Sequence, residues 1–241
     1  EFFKLYYKIN YYLLDKNIHY GEFFIDNNIS FYDFFRIISK PSNVLNKITI
    51  VEGWSKKELN NELSKYFKVK SIIEYNDILA DTYYFQKNNN FENFINKLKD
   101  FKENYLNNFK DNIFFEKFTE KELLIIGSLI EKEGIDYYDK RNISSVIMNR
   151  INKNMRLQID ATVLFAITNG NYDLERKLTY NDLKINNPYN TYKIQGLPPN
   201  PISYVGTKTI DLILENYKSD YLFYFFDSKL SRHTFSSDYE T

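Results

Sequence analysis

The sequence contains no cysteine. A disulfide framework, a thiolate metal site and a thiol nucleophile are therefore excluded, while the redox compartment stays open. Histidine is nearly as scarce. His19 and His233 are the only two, far apart and in no metal-ligand spacing, so a catalytic zinc or a serine–histidine triad lacks its parts. No metal and no cofactor are expected. Net charge is absent too, with 32 basic residues against 32 acidic ones and no long block of either sign. That disfavours binding a polyanion through bulk charge, nucleic acid included. No apolar run approaches the roughly 20 residues that span a bilayer, and no signal peptide is visible. The sequence starts at Glu1 rather than Met, so an N-terminal membrane anchor is expected to precede it.

Glycine (7) and proline (5) are few, while 22 Tyr and 21 Phe bring the aromatic share to 18%. We read this as a coding bias toward Ile, Phe, Tyr, Lys and Asn. The aromatics still supply core volume and flat faces on which sugars stack. A chain of 241 residues buries a sizeable core, as one large domain or two unequal ones.

In chain order, helix-like spacing runs to about Lys16, and Ile18–Ile25 alternates like a strand. Ser30 caps a helix broken at Pro41, and Lys47–Val51 is a β-branched strand. These pieces make a small βαβ-like unit. Ser55 with Glu58 forms a capping box opening a helix to about Phe67, and Phe91 to Phe109 is amphipathic. Further helices are expected from Asn142 and over Thr207–Glu215. Tyr221–Phe226 reads as a buried strand, with Arg232–Phe235 as its hairpin partner.

The stretch that leads to chemistry is Phe118–Gly134, FTEKELLIIGSLIEKEG. Thr119 and Glu122 form a capping box, and Gly134 is placed to end the helix in a left-handed conformation. At about 100° per residue, Leu123, Leu124, Ile125, Ile126, Leu129 and Ile130 average to one direction. Glu133 lies roughly 20° from that direction and Glu131 roughly 140° from it. Glu133 is thus expected on the buried side, desolvated and suited to general-acid work, and Glu131 in solvent.

Downstream come MRLQIDAT and NPYNTYKIQGLPPNPIS, the latter stiffened by Pro188, Pro198, Pro199 and Pro201. Their amides, hydroxyls and Tyr faces are what a neutral polysaccharide requires. Arg150 is expected to pair with an acid, His233 to bond the backbone, and Asp160 either to cap a helix or to bind sugar.

With SLIEKEG (Ser128–Gly134), VIMNRI (Val146–Ile151), MRLQIDATV (Met155–Val163), NPYNTYKIQGLPPNPIS (Asn187–Ser203) and HTF (His233–Phe235) in this order and spacing, the chain resembles the YceG-like endolytic murein transglycosylases. It departs from that family's usual pattern at Ala161, Ala80 and Asn200. The resemblance implies an α+β fold, with a small LysM-like unit over residues 1–52 and a mixed α/β catalytic domain over residues 53–241. It implies Glu133 as the catalytic acid at a helix end, with Gln158, Asp160, Thr162, Asn190, Thr191 and Tyr192 as substrate-binding residues. Peptidoglycan glycan strands are the implied substrate and cell-wall synthases the implied partners, at the outer face of a bacterial cytoplasmic membrane. The implied reaction cleaves the bond between N-acetylmuramic acid and N-acetylglucosamine and leaves 1,6-anhydro ends. A non-catalytic, peptidoglycan-binding scaffold is the alternative.

Overall fold

Ser30 accepts a hydrogen bond from the backbone N–H of Asp33 and so starts α1 (Phe31–Ile38), as the sequence predicts. The structure is a computed structural model, and it describes residues 1–241 except 2, 3, 6, 9–11, 13–17, 20, 43, 69, 70, 88, 240 and 241. Most of the helix-like stretch before Lys16 lies outside the described residues.

The remaining elements follow in order: β1 (Leu45–Thr49), α2 (Lys56–Leu63), β2 (Thr82–Gln86), α3 (Phe91–Asn107), α4 (Glu120–Glu133), α5 (Tyr137–Asn152), α6 (Asp160–Thr168), α7 (Thr207–Leu214), β3 (Phe223–Asp227) and β4 (Arg232–Ser236). Among the described residues the sheets are two small pairs, β1–β2 and β3–β4, and the fold is α+β.

The chain forms two compact units, one of residues 1–48 with 82–94, the other of residues 49–81 with 95–241. In the first, Phe35, Ile48, Tyr83, Phe85 and Phe94 are buried, and the Phe85 and Phe94 rings lie 4.6 Å apart. The strand expected over Ile18–Ile25 does not form among its described residues. Its backbone is satisfied irregularly instead, since the His19 N–H donates to Ile38 O and Ser42 Oγ donates to Glu22 O.

The larger unit is built around α4. Its capping box forms as expected, Thr119 accepting from the Glu122 N–H while Glu122 reaches back to the Thr119 N–H. Every residue from Leu123 to Ile130 is buried, so the helix is enclosed on all sides rather than along one stripe. It packs on α5, α6 and α7. Residues 202–206 press against it, with the Ile202 N–H donating to Ser128 Oγ and Ser203 Oγ to Ser128 O. A Cβ at Gly127 would sit 2.6 Å from Val205 Cγ1, which explains a glycine inside a helix.

Three sequence expectations need correction here. Gly134 is extended, not left-handed (φ −83°, ψ 139°); a Cβ there would meet Lys140 Cγ at 2.3 Å, so close packing demands the glycine. Helix α5 begins at Tyr137 rather than Asn142, because Asp136 caps it by accepting from the Asp139 N–H. Glu131 is not solvated. Its side chain is 1% exposed, 2.5 Å from Lys140 Nζ, and accepts the Gly206 N–H at 3.1 Å.

The hairpin forms where expected, antiparallel, with Phe226 opposite His233 and Tyr224 opposite Phe235. It is not fully buried, however. Phe225 and Phe226, neighbours on opposite faces of β3, remain 55% and 52% exposed.

Candidate active site

Glu133 closes the last turn of α4 and faces a cleft of about 260 Å³. Gln158, Asp160, Tyr192, Tyr224 and His233 line the same space. Burial raises the Glu133 carboxyl above the ordinary carboxylate range, and the nearby Asp160 charge pushes the same way. The Tyr224 hydroxyl donates to Glu133 Oε2 at 3.2 Å and opposes the rise, as do His233 and the Ala161 N–H. That amide belongs to the first turn of α6, where backbone N–H groups have no helical partner. A carboxyl whose charged form is disfavoured by burial, yet which accepts the Tyr224 hydroxyl, is prepared both to release a proton and to carry the charge left behind.

The polar loops reach the cleft through buried threonines and an asparagine. The Gln158 N–H donates to Thr191 O, and the Ile159 N–H donates to Thr191 Oγ1 at 2.9 Å. Thr162 Oγ1 donates to Ile159 O and lies 2.8 Å from Thr191 Oγ1. Asn190 Nδ2 donates to the carbonyls of Leu183 and Ile185, while its Oδ1 accepts the Tyr192 N–H at 3.0 Å. Thr162, Asn190 and Thr191 are fully buried, so their groups hold the loops rather than open into the cleft. What they position is Gln158, left-handed at φ 53°, together with Asp160 and Tyr192. Asp160 does not cap α6, since no side-chain bond closes that end. Instead it accepts the Tyr192 hydroxyl at 2.7 Å.

The hairpin supplies the opposite wall. Tyr224 meets His233 edge-on, with ring centroids 5.3 Å apart. The expected bond from the His233 ring to the backbone is absent among the described residues; Nδ1 lies 2.8 Å from the Asp139 carboxylate, which also accepts the Ile135 N–H. Arg150 pairs with no acid among the described residues. It bonds the carbonyls of Leu222, Arg156 and Leu157. Tyr224 and Asp139 carry no sequence signal as site residues. The apolar run around Tyr224 reads as core, and Asp139 meets His233 only through tertiary packing.

The sequence profile of the YceG-like family matches residues 1–241. The chain belongs to that family. It is 39% identical over 120 residues to a protein of Bacillus subtilis (strain 168) named endolytic murein transglycosylase, covering 50% of this chain and 32% of that relative. It is 32% identical over 148 residues to a protein of the same name from Streptococcus pneumoniae serotype 2 (strain D39 / NCTC 7466), covering 61% and 27%. The matched part is thus about a third or less of each relative's length. A solved structure described as a yceG-like protein of Listeria monocytogenes is similar with a TM-score of 0.69 at 26% identity, covering 96% of this chain and 86% of that one.

The Tyr224 contact makes a testable difference for this YceG-like chain. Tyr224→Phe removes a donor that favours the charged form of Glu133, so the carboxyl is expected to rise further. A bond to a charged group contributes about 1.5–3 kcal/mol, so turnover should fall roughly ten-fold or more. The alkaline limb of the pH–rate profile should shift upward with it, and an unmoved limb contradicts the assignment.

Proposed function

We propose that this YceG-like protein is a murein lytic transglycosylase with Glu133 as its acid and base. The observation that carries the reading is a partly buried carboxyl, raised above its ordinary range by desolvation, in a cleft lined by Gln158, Asp160, Tyr192 and Tyr224. Glu133 donates its proton to the oxygen joining N-acetylmuramic acid to N-acetylglucosamine, and the bond from that oxygen to the muramoyl C1 breaks. The resulting carboxylate, held by the Tyr224 hydroxyl and the Ala161 N–H, takes the proton of the muramoyl C6 hydroxyl. O6 bonds C1, a 1,6-anhydro ring closes, and the acid is restored without water. The names of the relatives support the substrate class.

The same reading puts the protein at the outer face of a bacterial cytoplasmic membrane, beside cell-wall synthases, with residues 1–52 as a LysM-like unit. Asp160 favours a second reading. It shares the cleft with Glu133, and ordinary glycosidases use two carboxylates.

Digestion of purified peptidoglycan followed by mass spectrometry distinguishes the outcomes. Products ending in 1,6-anhydromuramoyl sugars are expected. Reducing ends make it a hydrolase with Asp160 as second carboxylate, and binding without turnover makes it a scaffold.

A further inference from the structure

A cation with no carboxylate partner among the described residues lies in the wall of the cleft. Arg150, in the last turn of α5, is 7% exposed and lines the space beside Gln158, Tyr192 and Tyr224. Its Nε donates to Leu222 O at 2.6 Å, and Nη1 donates to the carbonyls of Leu157 and Arg156 at 2.7 and 3.2 Å. The Phe223 ring centroid lies 5.2 Å from the guanidinium carbon. Among the described residues, Nη2 has no hydrogen-bond partner and no carboxylate pairs with this side chain.

The acids of the cleft have donors of their own. Glu133 accepts the Tyr224 hydroxyl and Asp160 the Tyr192 hydroxyl, while Asp139, outside the cleft lining, is paired with His233. Arg150 is therefore not their partner. Neutral carbonyls orient the guanidinium but do not answer its charge. Nη2 is not enclosed by protein, so this donor stays open to the cleft and to an acceptor that a ligand brings.

Resting on the murein reading above, the completing group must come from the glycan. The muramoyl residue differs from its neighbour by a 3-O-lactyl arm ending in an acyl oxygen. That oxygen is a carboxylate in peptide-free strands and an amide carbonyl where a stem peptide is attached. Acetamido groups occur on both sugars and cannot mark one of them. We propose that Arg150 Nη2 receives the acyl oxygen of the lactyl arm and so fixes which sugar presents its C1 to Glu133. Charge-assisted bonds are about twice as strong as neutral ones, so the free carboxylate gains most. Asp160 is the opposing charge in the same space, partly answered by Tyr192.

The test is binding without turnover, using the full chain carrying Glu133→Gln. Three tetrasaccharides are titrated: a muramoyl one with free lactyl carboxylates, the same with lactyl carboxamides, and chitotetraose, which has no arm. Both muramoyl forms are expected to bind roughly ten-fold or more tighter than chitotetraose. Whichever of them binds tighter identifies peptide-free or peptide-bearing strands as the source. Adding Arg150→Met should erase the preference, and Arg150→Lys should restore part of it. Because Arg150 also bonds three carbonyls, its ¹⁵N side-chain signals are followed in protein that keeps it. They should move with the muramoyl ligand and not with chitotetraose. Equal affinity for all three ligands, a preference surviving Arg150→Met, or unmoved signals overturns the proposal. The products of the unaltered chain report on the murein reading separately.

Discussion

Glu133→Gln is expected to fold and to cut murein roughly 10²–10⁴-fold more slowly than the parent chain. The amide keeps the shape of the carboxyl and still accepts from Tyr224, but it has no transferable proton. The substitution has a second signature, in stability. Burial keeps Glu133 protonated above the ordinary carboxylate value of about 4.3. Below that value both folded and unfolded chains hold the proton, and the residue contributes nothing to pH dependence. Above it the unfolded chain releases the proton while the folded chain keeps it, so rising pH favours unfolding until the raised value is passed. Glu133 therefore costs stability at neutral pH. Thermal melts should show Glu133→Gln more stable than the parent at about pH 7 and equal to it near pH 3.5. A difference that does not change between the two pH values contradicts the burial argument.

Glu131→Ala is expected to do the reverse, costing stability and sparing the chemistry. It leaves Lys140 without its 2.5 Å partner and the Gly206 N–H without its acceptor. Breaking a buried pair from one side costs about 3–5 kcal/mol. The low end, about 3 kcal/mol, applies here, because Lys140 keeps 20% exposure and turns toward water. Denaturant titration should show this loss, while turnover per folded molecule stays near the parent's. Turnover abolished in a folded Glu131→Ala protein would show that the acid has been placed on the wrong residue.

These two acids mark how far the sequence could be read. Local rules place every helix start whose cap is a Ser or Thr: Ser30, Ser55 and Thr119 each bond the backbone they are expected to bond. They also place the β3–β4 hairpin, because an apolar run and its partner are close in sequence. The separation of Glu131 from Glu133 by helix angle fails for a physical reason. Angle along one helix predicts burial only when a single side is covered, and α4 is enclosed by α5, α6, α7 and residues 202–206. Gly134 misleads for a related reason, since Lys140, not a left-handed turn, requires it.

By itself, the sequence determined the elements with local signals, the loop motifs and the candidate acid. Capping, periodicity and stiff polar loops act within a few residues and are visible in one dimension. Only the tertiary structure decided what surrounds that acid. Tyr224 lies 91 positions beyond Glu133, and His233 lies 94 beyond Asp139. Nothing local fixes such distances. The same packing buried Thr162, Asn190 and Thr191 as loop supports and left Arg150 lining the cleft with no acid paired to it among the described residues. A side chain's role follows from what desolvates it and what bonds it, and both come from residues remote in the chain.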